Sequence, residues 1–318
     1  MSMAHPHDPV DPVPALLTPG EVRALSQLSC ARAIRAIVVE WSMIAAAIWI
    51  AGAAGSWPVT LLAVFVIGSR QHALTVISHD ASHFRLFSRR SWNDWVANIF
   101  LAWPMFISVQ GFRYFHGSHH RHLGTEKDGG RALWNTHGRD GRHTPEWRYP
   151  KRPSQLVLKL LRRAAVVTGL FWMVRGLIGG FMFGASPAGH VVRALLFAAL
   201  FAALHHFGAW SEFLVYWVLP YCTWHVTVQY IRLVCEHSAV SSTDPRYAAT
   251  RSTIPGVLSR FFVLPRNIGY HIEHHWYPSV PFYNLPQLHA RLAAHPEFVA
   301  HAQVTRSVLA SLGQCTSH

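Results

Sequence analysis

Residues 59–83 read VTLLAVFVIGSRQHALTVISHDASH. Residues 59–78 form an apolar run, holding Arg70, Gln71 and His72, that reaches the roughly 20 residues a helix needs to cross a bilayer. The run leads directly into His79-Asp80-Ala81-Ser82-His83, an H-x-x-x-H spacing that puts both imidazoles on one helical face. Two related clusters follow, His116-Gly117-Ser118-His119-His120 and His271-Ile272-Glu273-His274-His275, both H-x-x-H-H. On a helix the adjacent histidines of such a cluster point roughly 100° apart, so one ring can serve one metal while its neighbour serves a second. Imidazole is the commonest protein metal ligand and suits Fe, Zn, Cu or Ni. A structural zinc takes four ligands and a catalytic zinc usually three. Eight rings exceed one ion's need, and two Fe ions are the economical reading.

The rest of the chain places these clusters at a membrane. Hydrophobic residues make up 51% of it, 13 residues are Trp and the mean hydropathy is positive, too apolar for an ordinary soluble domain. The expected fold is an all-α integral membrane protein: a polar N-terminal tail over 1–32, a membrane domain over 33–292 and a C-terminal tail over 293–318. Four transmembrane helices are expected at about 33–57, 59–78, 191–210 and 213–234, with a cytosolic His-rich cap. Residues 95–109, interrupted by Pro104, are marginal as a span and read as re-entrant or interfacial. Residues 156–183 carry Lys159, Arg162, Arg163 and Arg175 and read as an amphipathic interfacial helix followed by a re-entrant stretch. Residues 124–153 read as an extramembrane loop. Only an even number of crossings between clusters leaves all three on one side. The net charge of +13 is bunched after the first cluster (Arg85, Arg89, Arg90) and around the second (Arg113, Arg121, Lys127, Arg131 and on to Arg163). Such bunching marks the cytoplasmic side, where both termini and the site are expected. No nucleic-acid-binding motif accompanies the charge. Anionic lipid head groups or an acidic electron-transfer partner fit it better. Cys30, Cys222, Cys235 and Cys315 form no C-x-x-C, so no iron–sulfur or thiol-redox module is encoded.

Two stretches extend beyond the clusters themselves. Tyr114-Phe115-His116-Gly117-Ser118-His119-His120-Arg121-His122-Leu123-Gly124 resembles the second histidine box of the sphingolipid and acyl-lipid branch of the membrane fatty acid desaturase superfamily. Asn267-Ile268-Gly269-Tyr270-His271-Ile272-Glu273-His274-His275-Trp276-Tyr277-Pro278 resembles its third box, down to the trailing Leu285-Pro286. Third boxes of this kind also resemble those of bacterial carotenoid ketolases. The resemblance covers about residues 73–292 and implies two Fe ions, O2 as co-substrate and a lipid or fatty acyl substrate. It also implies a ninth ligand before the third box, for which Cys235-Glu236-His237-Ser238 supplies His237. In the stearoyl-CoA desaturase branch an Asn stands four residues before this His; here Leu233 does, which sets the chain apart from that branch. No cytochrome b5-like or ferredoxin-like segment is visible, so electrons are expected from a separate protein of that kind with its reductase.

The expected reaction is oxidation of an unactivated C–H bond in a lipid acyl chain, with desaturation leading. A hydroxylase, a carotenoid ketolase or a terminal-alkene-forming fatty acid decarboxylase would use the same ligands. From another class, a His-rich metal transporter would hold its ligands at mid-bilayer instead of at span ends. Asp80, Glu236, Asn267 and Glu273 are the expected partners around the ligand rings, orienting them and raising their basicity. Small residues on the second and fourth spans, Ala73, Thr75, Thr223 and Thr227, are candidates for a substrate channel, although helix packing selects the same residue types. His72, His225 and the His205-His206 pair read as hydrogen-bonded intramembrane histidines. His5, His7, His137 and His295 fall outside the clusters.

Overall fold

A computed structural model describes residues 15–123, 128, 149–182, 186–242 and 244–316. Most of the expected loop over 124–153 lies outside the described residues, as do His5, His7, Lys127, Arg131 and His137. The chain opens with α1 (Pro19–Leu25), whose Thr18 and Glu21 cap each other's backbone N–H groups. A helical hairpin follows, α2 (Cys30–Ala54) and α3 (Trp57–Ser82). Gly55 closes it at a left-handed φ of 57°, and Pro58 sits in the first turn of α3, where no N–H is needed. Each helix therefore starts before its expected boundary, and α3 continues past residue 78 to carry the first box.

Residues 95–109 double back. The helix α4 (Arg90–Ala97) runs into a π-wound turn (Asn98–Ala102), Phe106 adopts φ 61°, and α5 (Val109–Arg121) departs from there. Asn98 holds the reversal by accepting the Val109 N–H at 3.0 Å. Residues 156–183 divide at Ala165, whose ψ of 129° is not helical, into α6 (Pro153–Ala164) and α7 (Val166–Met182). The expected third span begins earlier, at α8 (Pro187–His206), and stops before Gly208. The expected fourth is one longer helix, α9, over residues 210–237, two stretches of which (Leu214–Val218 and Tyr221–His225) are π-wound.

Among the described residues three helices, α2, α3 and α8, are long and apolar enough to cross a membrane. The most buried is α3: Ile67, Leu74 and Ile77 have no exposed surface, and α2, α5 and α9 pack around it. The outer faces stay apolar, with Trp49, Leu62, Val191 and Leu195 exposed, the arrangement expected of helices solvated by lipid. Beyond α9 lies a cap of short elements: β1 (Ser252–Thr253), α10 (Val257–Phe262), α11 (His271–Trp276), α12 (Leu285–Leu292), α13 (Pro296–His301), β2 (Val304–Thr305) and α14 (Val308–Gln314). Residues 293–316, expected as a tail, are folded into this cap. There β2 pairs in parallel with β1, and Phe298, Val308 and Cys315 are buried.

One contact sets how closely α7 approaches α9. A Cβ built on Gly169 would lie 2.1 Å from the Cys222 carbonyl oxygen, so only glycine fits. Gly169→Ala should lower stability by about 1–3 kcal/mol, read as the thermal unfolding midpoint of purified protein. An unchanged midpoint would show that the two helices separate freely.

Candidate metal centre

The first box ends α3. His79 lies in its last turn and His83 is the residue that caps it. The carbonyls left over at this helix end need donors, and they come from the second box's helix and from α4. Arg113 of α5 donates to the Ala81 and Ser82 carbonyls (3.1 and 2.8 Å), and Asn93 donates to Ala81 at 2.8 Å. Asp94 pairs with the same guanidinium. Box one is thereby fixed against box two through backbone. The third box rides on α11, entered through Arg266 and Asn267 at left-handed φ of 53° and 60°. Gly269 donates no side chain to this turn for good reason: a Cβ there would stand 2.1 Å from the Thr253 carbonyl oxygen.

Nine histidines converge from these elements and from the end of α9. His79, His83, His116, His120 and His274 form one group; His119, His237, His271 and His275 form the other. Within each group the ligand atoms all lie within 4.8 Å of one another. The adjacent pairs His119/His120 and His274/His275 split between the groups. The Nε2 atoms approach closely: His120 to His116 2.9 Å, His120 to His274 2.9 Å, His237 to His271 2.8 Å and His271 to His275 3.1 Å. For metal–imidazole bonds of about 2.1 Å, neighbouring ligands at right angles stand about 3.0 Å apart, so the spacing fits a shared ion. The Nε2 atoms of His79 and His83 are buried with no hydrogen-bond partner, an unfavourable arrangement for a polar atom that a metal relieves. Burial above all, then the neighbouring imidazoles, hold His116, His120, His271, His274 and His275 well below the usual histidine range. His83 is pushed down to about 4 by burial and by Arg85 and Arg113. Neutral rings are what metal binding requires.

The expected partners of the rings are arranged differently. Asp80 accepts the Phe282 N–H at 2.7 Å and lies 3.7 Å from Nδ1 of His79, too far to bond. Asn267 donates to the carbonyl of the same Phe282 at 3.0 Å. Together they clamp residue 282 and leave the rings alone. Glu273 is taken up by Ser252 Oγ at 2.5 Å and by His289, which ties α11 to β1 and α12. Glu236 accepts from Arg232 at 2.6 Å and stands 3.5 Å from Nδ1 of His271. The ring contacts come from elsewhere: Asp128 lies 2.8 Å from Nδ1 of His119, and the Ala249 carbonyl 3.1 Å from Nδ1 of His237. Nothing periodic marks either residue; the one cue for Asp128 is an acid a few residues past a box in a chain with only 15 Asp and Glu.

His72 and His225 are buried beside each other, ring centroids 6.0 Å apart, and join neither group. Of the small channel candidates, Thr75 lines a cavity with Phe112, Trp172, Gly176 and Gly179. Phe112 packs on His116 and His79, at 5.2 and 5.9 Å between centroids, so the cavity ends against the first group. Ala73 is fully packed, and Thr223 and Thr227, whose hydroxyls bond carbonyls of their own helix as that of Thr75 does, do not line this cavity.

Residues 55–307 match the model of the family described as fatty acid desaturase. Among similar proteins, dihydrorhizobitoxine desaturase of Bradyrhizobium elkanii is 27% identical over 72% of this chain and 66% of its own length. The sphingolipid delta(4)-desaturase/C4-monooxygenase of Homo sapiens is 26% identical over 74% of this chain and 65% of its own, and the sn-1 oleoyl-lipid 12-desaturase of Synechocystis sp. 25% over 68% and 63%. The matches thus span a little under two thirds of these relatives. The family match takes in all three histidine boxes, both ends of the nine-histidine constellation and most of the chain, and the protein belongs to the fatty acid desaturase family.

Proposed function

We propose that this protein is a membrane di-iron oxidoreductase that desaturates a lipid acyl chain. The observation that carries this is the division of nine convergent imidazoles into two groups with the adjacent pairs shared between them. With iron bound, the centre supplies O2 reduction with electrons from an external ferredoxin- or cytochrome b5-like donor and its reductase. The chain's own residues do the positioning. The cavity lined by Thr75, Phe112, Trp172 and the α7 glycines, with Arg175 and Arg232 also on its wall, leads an acyl chain to Phe112, which packs on His79 and His116. The desaturase/C4-monooxygenase among the relatives carries both outcomes in its name, and hydroxylation is the second reading. Mass spectrometry of lipids from cells with and without the gene tests both: a product lighter by two hydrogens supports desaturation, one heavier by an oxygen supports hydroxylation, and no lipid change overturns both.

Gly179 offers a sharper probe of the cavity. A Cβ there meets nothing within 4 Å, so a side chain can begin there without a backbone clash. Gly179→Leu should shorten the accepted acyl chain or move the oxidised carbon while iron content stays at its parent value. Unchanged preference across a chain-length series would place the substrate elsewhere.

In the membrane α9 is the fourth crossing. Both termini and the three boxes then face the cytosol, with the turns at Gly55 and Gly208 on the opposite side. In a Cys30→Ser background, Ser241→Cys should label from the cytosolic face, and Ser56→Cys and Ala209→Cys from the other. Labelling of all three from one face would refute four crossings.

A further inference from the structure

A polar cleft lined by arginine shares no lining residue with the cavity at Thr75. The first turns of α2 carry Arg32 and Arg35 and no acid, although a helix N-terminus disfavours cations. Both side chains line a cleft of about 580 Å3 between α2, α3 and the cap, joined there by Arg70, Arg260 and Arg266. One carboxylate faces these five cations, that of Glu40. It is already engaged, by Arg70 at 3.1 Å and by Arg266 at 2.6 Å. Among the described residues Arg32 contacts neutral groups, the Asn284 side-chain carbonyl at 3.1 Å and the Tyr283 ring. Arg35 and Arg260 are exposed and, among the described residues, have no carboxylate within ion-pair distance. The rim is apolar: Val39 and Met43 line it from α2, and Val257 of α10 lines it while 85% exposed. Unpaired cations inside, apolar side chains at the rim and a position at the start of a membrane-crossing helix match an amphiphile with an anionic head.

We propose that this cleft seats the phosphate group of an anionic membrane lipid, held between Arg32, Arg35 and Arg260, with its acyl chains along Val39 and Met43. The site rests on the membrane reading above but is separate from the metal centre, so metal content and lipid binding fail independently. The test uses the purified full chain in detergent, titrated with phosphatidylglycerol or phosphatidylcholine and read by native mass spectrometry. The protein should retain phosphatidylglycerol in preference to phosphatidylcholine. Arg35→Gln combined with Arg260→Gln should weaken retention about tenfold or more, with iron content unchanged. Both arginines are exposed and carry no structural ion pair, so the variant should fold. Arg89→Gln with Arg162→Gln removes the same charge from elsewhere on the surface and should leave retention as in the parent. Equal loss in that control would reduce the cleft to a share of general cytosolic positive charge and overturn the site. Equal retention of the two lipids would overturn it as well. Displacement of the lipid by soluble glycerol phosphate at matching concentration would assign the cleft to a soluble anion and also overturn the lipid proposal.

Discussion

His237→Ala should abolish turnover and release the iron of the second group, leaving that of the first. His237 contributes one of only four ligand atoms in its group, and its Nε2 lies 2.8 Å from that of His271. Losing an outer hydrogen-bond partner alone costs a metal site roughly 10–100-fold in affinity or activity. Asp128→Asn, which weakens the hold on His119 without removing a ligand, should fall in that range. Loss of a ligand should exceed it. His83→Ala should lower iron in its own group of five and, on the di-iron reading, abolish turnover equally, because that chemistry uses both ions. His79, His116, His119, His120, His271, His274 and His275 should behave as their groups dictate. His205→Ala and His206→Ala, exposed at the end of α8, should change neither quantity. Iron per chain by elemental analysis, set beside product formation, decides this. Full iron and full turnover in His237→Ala would remove it from the ligand set and turn attention to His72 and His225. A single zinc per chain, with activity surviving iron chelation, would sink the di-iron reading as a whole.

Glu40→Ala should cost about 3–5 kcal/mol, the range for breaking a buried ion pair by removing one partner. Glu40 is 1% exposed and Arg70 is 4% exposed. Without the carboxylate, Arg70 keeps the Phe261 carbonyl and ring but carries an uncompensated charge. Arg266 also loses its carboxylate, keeping the Ala36 carbonyl, and it lies in the turn that delivers the third box. The variant should therefore lose iron along with stability. Glu40→Leu combined with Arg70→Met should recover most of the loss, because apolar replacement of a buried pair is often neutral. Thermal unfolding of the parent, the single and the double variant measures it. A single variant as stable as the parent would show that water reaches Arg70 and that the pair contributes little.

The sequence by itself determined the helical hairpin, the family and the histidines that converge. Those features are local: 3.6-residue periodicity, box spacing, and an apolar run ending in His79. The ends of the long helices were legible to within a few residues, because Gly55, Ser186 and Gly208 set them more sharply than hydropathy does. The divergence of adjacent histidines was legible as well, since it follows from helix geometry. Which ring joins which group was not, because it depends on how α3, α5, α9 and α11 are rotated against one another, and that is set by contacts far apart in sequence, such as Arg113 to the end of α3. The carboxylates were the hardest to read. An acid beside a ligand in sequence points away from it on a helix, so Asp80 and Glu273 bind Phe282 and Ser252 instead, while Asp128 reaches His119 from a loop. The channel candidates were chosen by size, but whether a small residue faces a cavity, as Thr75 does, or a neighbouring helix, as Ala73 does, is decided by what packs opposite, which only the tertiary structure supplies.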